Sequence, residues 1–213
     1  VLPILLLRWI PPVTTSFMLQ RQAGLLLSGD DPTVRYRWVG WREIPAALRL
    51  AVVAAEDQKF PEHFGFDLES IADAADANAR RKRPRGASTI TQQVAKNVFL
   101  WPGRSWARKG LEAYFTVWIE LLWPKRRVLE VYLNVAEFGD RVYGVGAACD
   151  ALLEKPPSRL TERQATLLAA VLPSPRRFHA DRPSPYVARR ADWIEGQMRA
   201  LGGDYLASLD GGR

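Results

Sequence analysis

Apolar residues recur along most of this chain at the three- and four-residue intervals of an α-helix, seldom at the two-residue interval of a strand. Ile44, Leu48, Ala51, Val52 and Ala55 follow one helical face, with Pro45 suited to the first turn and Glu56 at the far end. Thr89 and Gln92 form a capping-box pattern ahead of a stripe made by Ile90, Val94 and Val98. Ser105 can cap a third helix, whose Leu111, Phe115, Trp118 and Leu122 predict a core face that ends at Pro124. Val128, Leu129, Tyr132, Leu133 and Ala136 predict a fourth reaching Gly139, and Thr161 with Gln164 opens a fifth running to Leu172. A last helix is predicted from Ser184 and Pro185 to Leu201, with Gly202 as its stop. Only residues 33–39, where Val34, Tyr36 and Trp38 alternate with Arg35 and Arg37, read as an extended ribbon. The expectation is a mainly α single domain, with loops at 61–68, 80–88, 99–105 and 139–146 around a cleft.

No repeat period runs through the 213 residues, so a solenoid or propeller is unsupported. At 47% hydrophobic the chain can fill one core, and its formal charge of +7 points to an anionic partner without choosing among nucleic acid, phosphorylated substrate and lipid surface. A lone Cys149 allows no internal disulfide, and with His63 and His179 it does not make an ordinary structural zinc site. The apolar run Val1 to Leu7, broken by Arg8 and Pro11-Pro12, is too short to span a bilayer that needs about 20 apolar residues. It reads as the end of a longer membrane anchor, giving an expected division into an anchor remnant at 1–24 and a catalytic domain at 25–213.

Three segments could carry chemistry, and each also has an ordinary explanation. Glu56 and Asp57 fall at a helix C-terminus, where the macrodipole disfavours carboxylates; Phe60 and His63 follow closely. Acid-rich helix ends are commonly just solvated, although a local conflict of this kind often marks function. Gly86-Ala87-Ser88-Thr89 opens a helix whose free N–H groups suit a phosphate, with Gln92 and Lys96 sharing one face; a plain cap accounts for the same residues. A Walker A loop is excluded, since no Gly-Lys-Ser/Thr follows. Arg108, Lys109 and Glu112, after Arg104, stand at the spacings of a surface ion-pair ladder. The run Arg80-Arg81-Lys82-Arg83-Pro84-Arg85 cannot pack in a core and reads as a solvated loop.

Taken in order, these segments resemble one family. Ala54-Ala55-Glu56-Asp57-Gln58-Lys59-Phe60-Pro61-Glu62-His63, Gly86 to Gln93, Arg108-Lys109-Gly110-Leu111-Glu112-Ala113 and Val131 to Gly139 are similar to motifs of the peptidoglycan glycosyltransferases with a lysozyme-like fold. Within that family the likeness is to the monofunctional biosynthetic transglycosylases of Gram-negative bacteria, from Pro12 to Phe178. It implies that Glu56 is the catalytic base and Glu112 the second acid, near a diphosphate and its magnesium or manganese ion. It further implies that Lys96 and Arg104 bind phosphate, that Ser88, Thr89, Gln92, Gln93, Arg108 and Lys109 line the cleft, and that Asp57, Phe60, His63, Asn134 and Glu137 hold motif positions of less defined role. The implied partners are lipid II, the growing lipid-linked strand, the membrane surface and cell-wall synthesis proteins, with no nucleic acid, at the periplasmic face of the inner membrane. One departure is Leu152-Leu153, where relatives commonly carry an aromatic pair. No penicillin-binding transpeptidase follows, for no Ser-x-x-Lys motif with its partners is present.

Two rival functions remain open on sequence: a lysozyme-like hydrolase or lytic enzyme using the same acids, and a nucleic-acid binder using Arg80 to Arg85. The cations Lys96 and Arg104 separate the first, because a polymer-cutting enzyme needs no diphosphate pocket.

Overall fold

The computed structural model describes residues 1–72, 88–103 and 105–210. Ten α-helices are followed here: α1 (Leu2–Leu7), α2 (Ser16–Leu27), α3 (Ala46–Glu56), α4 (Ile90–Phe99), α5 (Trp106–Leu122), α6 (Lys125–Val135), α7 (Gly144–Ala148), α8 (Glu162–Val171), α9 (Pro185–Leu201) and α10 (Ala207–Asp210). The mainly α expectation holds. Two helical groups share the core: α3 packs against α8 and α9, while α4 lies against both α5 and α6. Small residues allow the first group to close up, since Ala51, Ala54, Ala165 and Ala169 are all buried.

The extended ribbon is present but not alone. Strand β1 (Arg35–Tyr36) pairs in parallel with β3 (Val142–Tyr143), and β3 pairs antiparallel with β2 (Glu137–Gly139), giving the order β1-β3-β2. The helix predicted to reach Gly139 therefore stops at Val135, and the chain enters a hairpin instead. Its turn is Asp140-Arg141 with Arg141 at φ 62°, a position that usually falls to Asn or Gly, so the ordinary hairpin signal is missing from the sequence.

Helix α5 corrects a second expectation. Leu111, on the predicted core face, is 41% exposed, whereas the buried positions are Arg108, Glu112, Thr116, Ile119 and Glu120. Phe115, Trp118 and Leu122 pack only at the edge of the core. The helix has turned a polar side inward because that side finds partners there: Glu120 Oε1 accepts from Thr91 Oγ1 at 2.5 Å and from Lys125 Nζ at 2.9 Å. Outward it shows Leu111, Tyr114, Val117 and Leu121.

The first residues are docked onto the domain. Ile4 is fully buried, Trp123 Nε1 donates to its carbonyl at 2.7 Å, and Arg127 donates to the carbonyls of Leu7 and Ile10. Leu2, Leu6, Trp9, Ile10 and Val13 remain exposed around this anchor point. Among the described residues no helix is long and apolar enough to cross a membrane.

Asn134 fixes the sheet to the helices. Its Oδ1 accepts from Val39 N at 2.7 Å, and its Nδ2 donates to Val39 O and Glu130 O, each at 2.9 Å. Gly144 at φ +79° and Gly146 make the same junction close enough: a Cβ on either would lie 2.3 Å from the carbonyl oxygen of Asn134 or Arg37 respectively. Asn134 is thereby assigned a structural part. Asn134→Ala is expected to cost about 2–4 kcal/mol, because it strands the buried Val39 N–H and C=O. Urea unfolding measures this, and a loss under about 1 kcal/mol would show that the junction does not depend on Asn134.

Candidate active site

Glu56 is the last residue of α3, with its side chain 14% exposed. Gln93 Nε2, from α4, donates to its Oε2 at 3.1 Å, and Arg190 Nη2, from α9, stands 3.5 Å from Oε1. Burial pushes the carboxyl pKa above its ordinary value; the Gln93 hydrogen bond and then the charges of Arg190 and Lys96 work in the opposite direction. The group is thus a carboxylate kept from water but supplied with donors, a setting suited to taking up a proton.

Asp57 faces elsewhere. Its Oδ2 accepts from the backbone N–H of Ile90 at 2.9 Å, and its Oδ1 lies 2.8 Å from His63 Nε2. Phe60 is fully buried, with its ring edge-on to His63 and Lys125 Nζ 4.7 Å above it. Asp57 therefore joins the end of α3 to the start of α4, with His63 bracing its other oxygen.

That junction also supplies part of the cap of α4. Thr89 and Gln92 are buried and consume each other: Thr89 N donates to Gln92 Oε1 at 3.0 Å, and Gln92 N donates to Thr89 Oγ1 at 3.2 Å. Thr89 Oγ1 also donates to Gly65 O at 2.7 Å. With Asp57 already on the Ile90 N–H, the positive end of the helix is capped by the protein's own carboxylate. Ser88 is exposed, while Gly86, Ala87, Arg104 and the basic run at 80–85 lie outside the described residues.

The cationic part of the site lies one to two turns further along α4 and across on α5. Lys96 is half-buried, and burial holds its pKa below the ordinary lysine value while the Glu112 and Glu56 charges draw it up. Arg108 Nη1 donates to Glu112 Oε2 at 2.7 Å, and Lys109 Nζ donates to Oε1. Glu112 is 2% exposed, so the surface ladder expected from spacing is an interior pair. Lys96, Arg108 and Lys109 against Glu112 leave an excess of positive charge, and Arg108 Nε is buried without a partner. Gln93, Lys96, Tyr132, Glu137 and Tyr143 line a recess of about 160 Å³. At its edge Arg176 Nε donates to Glu137 at 3.1 Å. A wider depression of about 550 Å³ over Lys59, His63, Phe64 and Asp67 includes neither Glu56 nor Lys96.

The arrangement does not fit a divalent ion on Glu112. Both of its oxygens carry cationic donors, and no cluster of three potential ligands occurs among the described residues.

Arg190 was not foreseen from sequence. It is remote from Glu56 along the chain, and its only signal is positional, on the α9 stripe Tyr186, Arg190, Trp193, Gln197. Gln197 confirms the facing of that stripe, for its Oε1 accepts from Gln58 Nε2 at 3.1 Å.

A buried carboxylate near clustered cations, on a mainly helical scaffold, is a setting for acid–base chemistry on an anionic substrate. The sequence profile of the transglycosylase family matches residues 27–199, and the chain belongs to that family. It is 53% identical to the biosynthetic peptidoglycan transglycosylase of Stutzerimonas stutzeri, over 96% of this chain and 85% of that protein. It is 55% identical to the protein of that name from Xanthomonas axonopodis pv. citri, over 95% and 83%, and 52% identical to that of Pseudomonas aeruginosa, over 97% and 90%.

The raised Glu56 pKa has a consequence for stability. Burial outweighs the groups that favour the carboxylate, so the net contribution is complete below the ordinary value of 4.5 and is lost as pH rises through the raised folded value. Glu56→Gln, uncharged at every pH, is expected to raise Tm by a few degrees at about pH 7.5, with the gain fading toward about pH 4. Thermal unfolding across that range tests this; a variant no more stable than wild type at about pH 7.5 contradicts it.

Proposed function

We propose that this chain polymerises lipid II into linear glycan strands and releases undecaprenyl diphosphate, with inversion at the anomeric carbon. The observation that carries the reading is a buried carboxylate, Glu56, in hydrogen-bond contact with Gln93 and within the electrostatic reach of Lys96. The names of the relatives, biosynthetic peptidoglycan transglycosylases, supply the polymer.

Glu56 takes the proton of the acceptor's 4-hydroxyl as that oxygen bonds to the anomeric carbon of the growing strand. The bond from that carbon to the diphosphate oxygen breaks, and its electron pair leaves with the diphosphate. Lys96, Arg108 and Lys109 stabilise the departing charge, so the leaving group needs no proton. Arg104 belongs to the same proposed set. Inversion follows from attack opposite the leaving group, as in inverting glycosidases with a sugar hydroxyl in place of water.

The lipid tail of such a substrate keeps the domain at the periplasmic face of the inner membrane. Support comes from the outward apolar face of α5, from the nearly bare Trp106 and from α1, which packs against α5. With a net charge of +7, binding to vesicles is expected to strengthen with anionic lipid and to weaken with salt. Sedimentation with liposomes measures it, and indifference to both variables would remove the membrane part of the proposal.

The reaction itself is tested with purified lipid-linked disaccharide-pentapeptide. Wild type should yield polymer; Glu56→Gln should lose about 100-fold to 10,000-fold in rate, the span of a general base. Lys96→Ala should lose about 100-fold. Release of soluble fragments from preformed peptidoglycan, with no polymer made, would establish the hydrolase reading instead.

A further inference from the structure

One hydrogen-bond donor and one cation, from different helices, flank Glu56, and their polarity is fixed. Gln93 Nε2 donates to Oε2, and the Gln93 carbonyl Oε1 accepts from the hydroxyl of Tyr132 on α6 at 3.1 Å. Tyr132 is 1% exposed, and burial puts its pKa well above the ordinary tyrosine value, so it stays a donor throughout the neutral range. A phenol donating to the amide oxygen sets the amide nitrogen toward Glu56. On the other oxygen stands Arg190, a group that only donates. Both partners therefore ask for acceptors, which a carboxylate supplies with both oxygens and a carboxylic acid with only one.

Arg190 has little other occupation. Among the described residues its one ion pair is with Glu56, and its Nε is buried without a partner. The other α9 charges nearby, Asp192 and Glu195, are taken by Arg163 of α8. The remaining charges that act on Glu56 are Lys96 of α4 and the neighbouring Asp57; α8 meets α3 through buried Ala165, Leu168 and Ala169.

We propose that Arg190 is the positioning residue for the catalytic base: with the Tyr132-Gln93 pair it keeps Glu56 ionised and oriented in a site from which water is largely excluded. This rests on the general-base reading above. Without Arg190, burial of the carboxylate is less opposed, its pKa rises further, and the fraction of enzyme with a usable base falls at neutral pH.

The test is the pH dependence of kcat and kcat/KM for polymerisation of the lipid-linked disaccharide, with wild type, Arg190→Gln, Arg190→Lys and Tyr132→Phe. Arg190→Gln should move the acid limb up by about one pH unit, so that kcat falls about 10-fold on the limb and recovers toward the high-pH plateau. KM should change less than about twofold. Arg190→Lys should return most of the shift, and Tyr132→Phe, which frees the Gln93 amide to turn, should move the limb in the same direction. A merely structural part would lower kcat equally at all pH and leave the limb in place; that result overturns the inference. If Arg190→Gln does not fold, the limb positions of Arg190→Lys and Tyr132→Phe decide, and wild-type limbs in both reject it. Full polymerisation by Glu56→Gln would instead remove the base itself, a separate failure.

Discussion

A helix C-terminus is electrostatically hostile to a carboxylate, and an interior with little water is more so. Glu56 occupies both, and much of the surrounding architecture answers that conflict. Donors reach it from α4 and α9, two helices that belong to the opposite groups of the core. A stability optimum would place an apolar residue here. What the carboxylate gains is a basicity that bulk water would deny it, next to Gln93, which also lines the recess that holds Lys96.

The cations are arranged on the same logic. Helix α5 carries Arg108 and Glu112 inward and Leu111, Tyr114, Val117 and Leu121 outward, the reverse of an ordinary surface helix. Interior charge of this kind is tolerated because each member has a counter-charge, and the surplus of positive charge is what an anionic ligand would neutralise. The outward apolar face is then the price of building the site from that helix.

Much of this was legible in the residues. The helices around Leu48 and Val94 follow from spacing, and their predicted faces are largely buried, while the helix opened by Thr161 and Gln164 follows from its cap. Failures cluster where tertiary partners outweigh local pattern. Phe115 and Trp118 gave α5 a convincing stripe, but the charges on the other side found one another. Ala136 continued a helical period that the hairpin at Asp140-Arg141 cut short. Thr89 and Gln92 form the cap their spacing predicts, but its third participant, Asp57, lies more than thirty residues away in sequence. Arg190 had no local signature at all, because an ion pair between distant helices leaves no spacing to read.

The bond from Asp57 to the first N–H of α4 also has a mechanical meaning. It ties the C-terminus of α3, where Glu56 sits, to the first turn of the helix that carries Gln93 and Lys96. The spacing between that carboxylate and those two side chains is thereby set through a side-chain-to-backbone contact that neither Glu56 nor Lys96 makes itself, so a change at Asp57 would be felt at both.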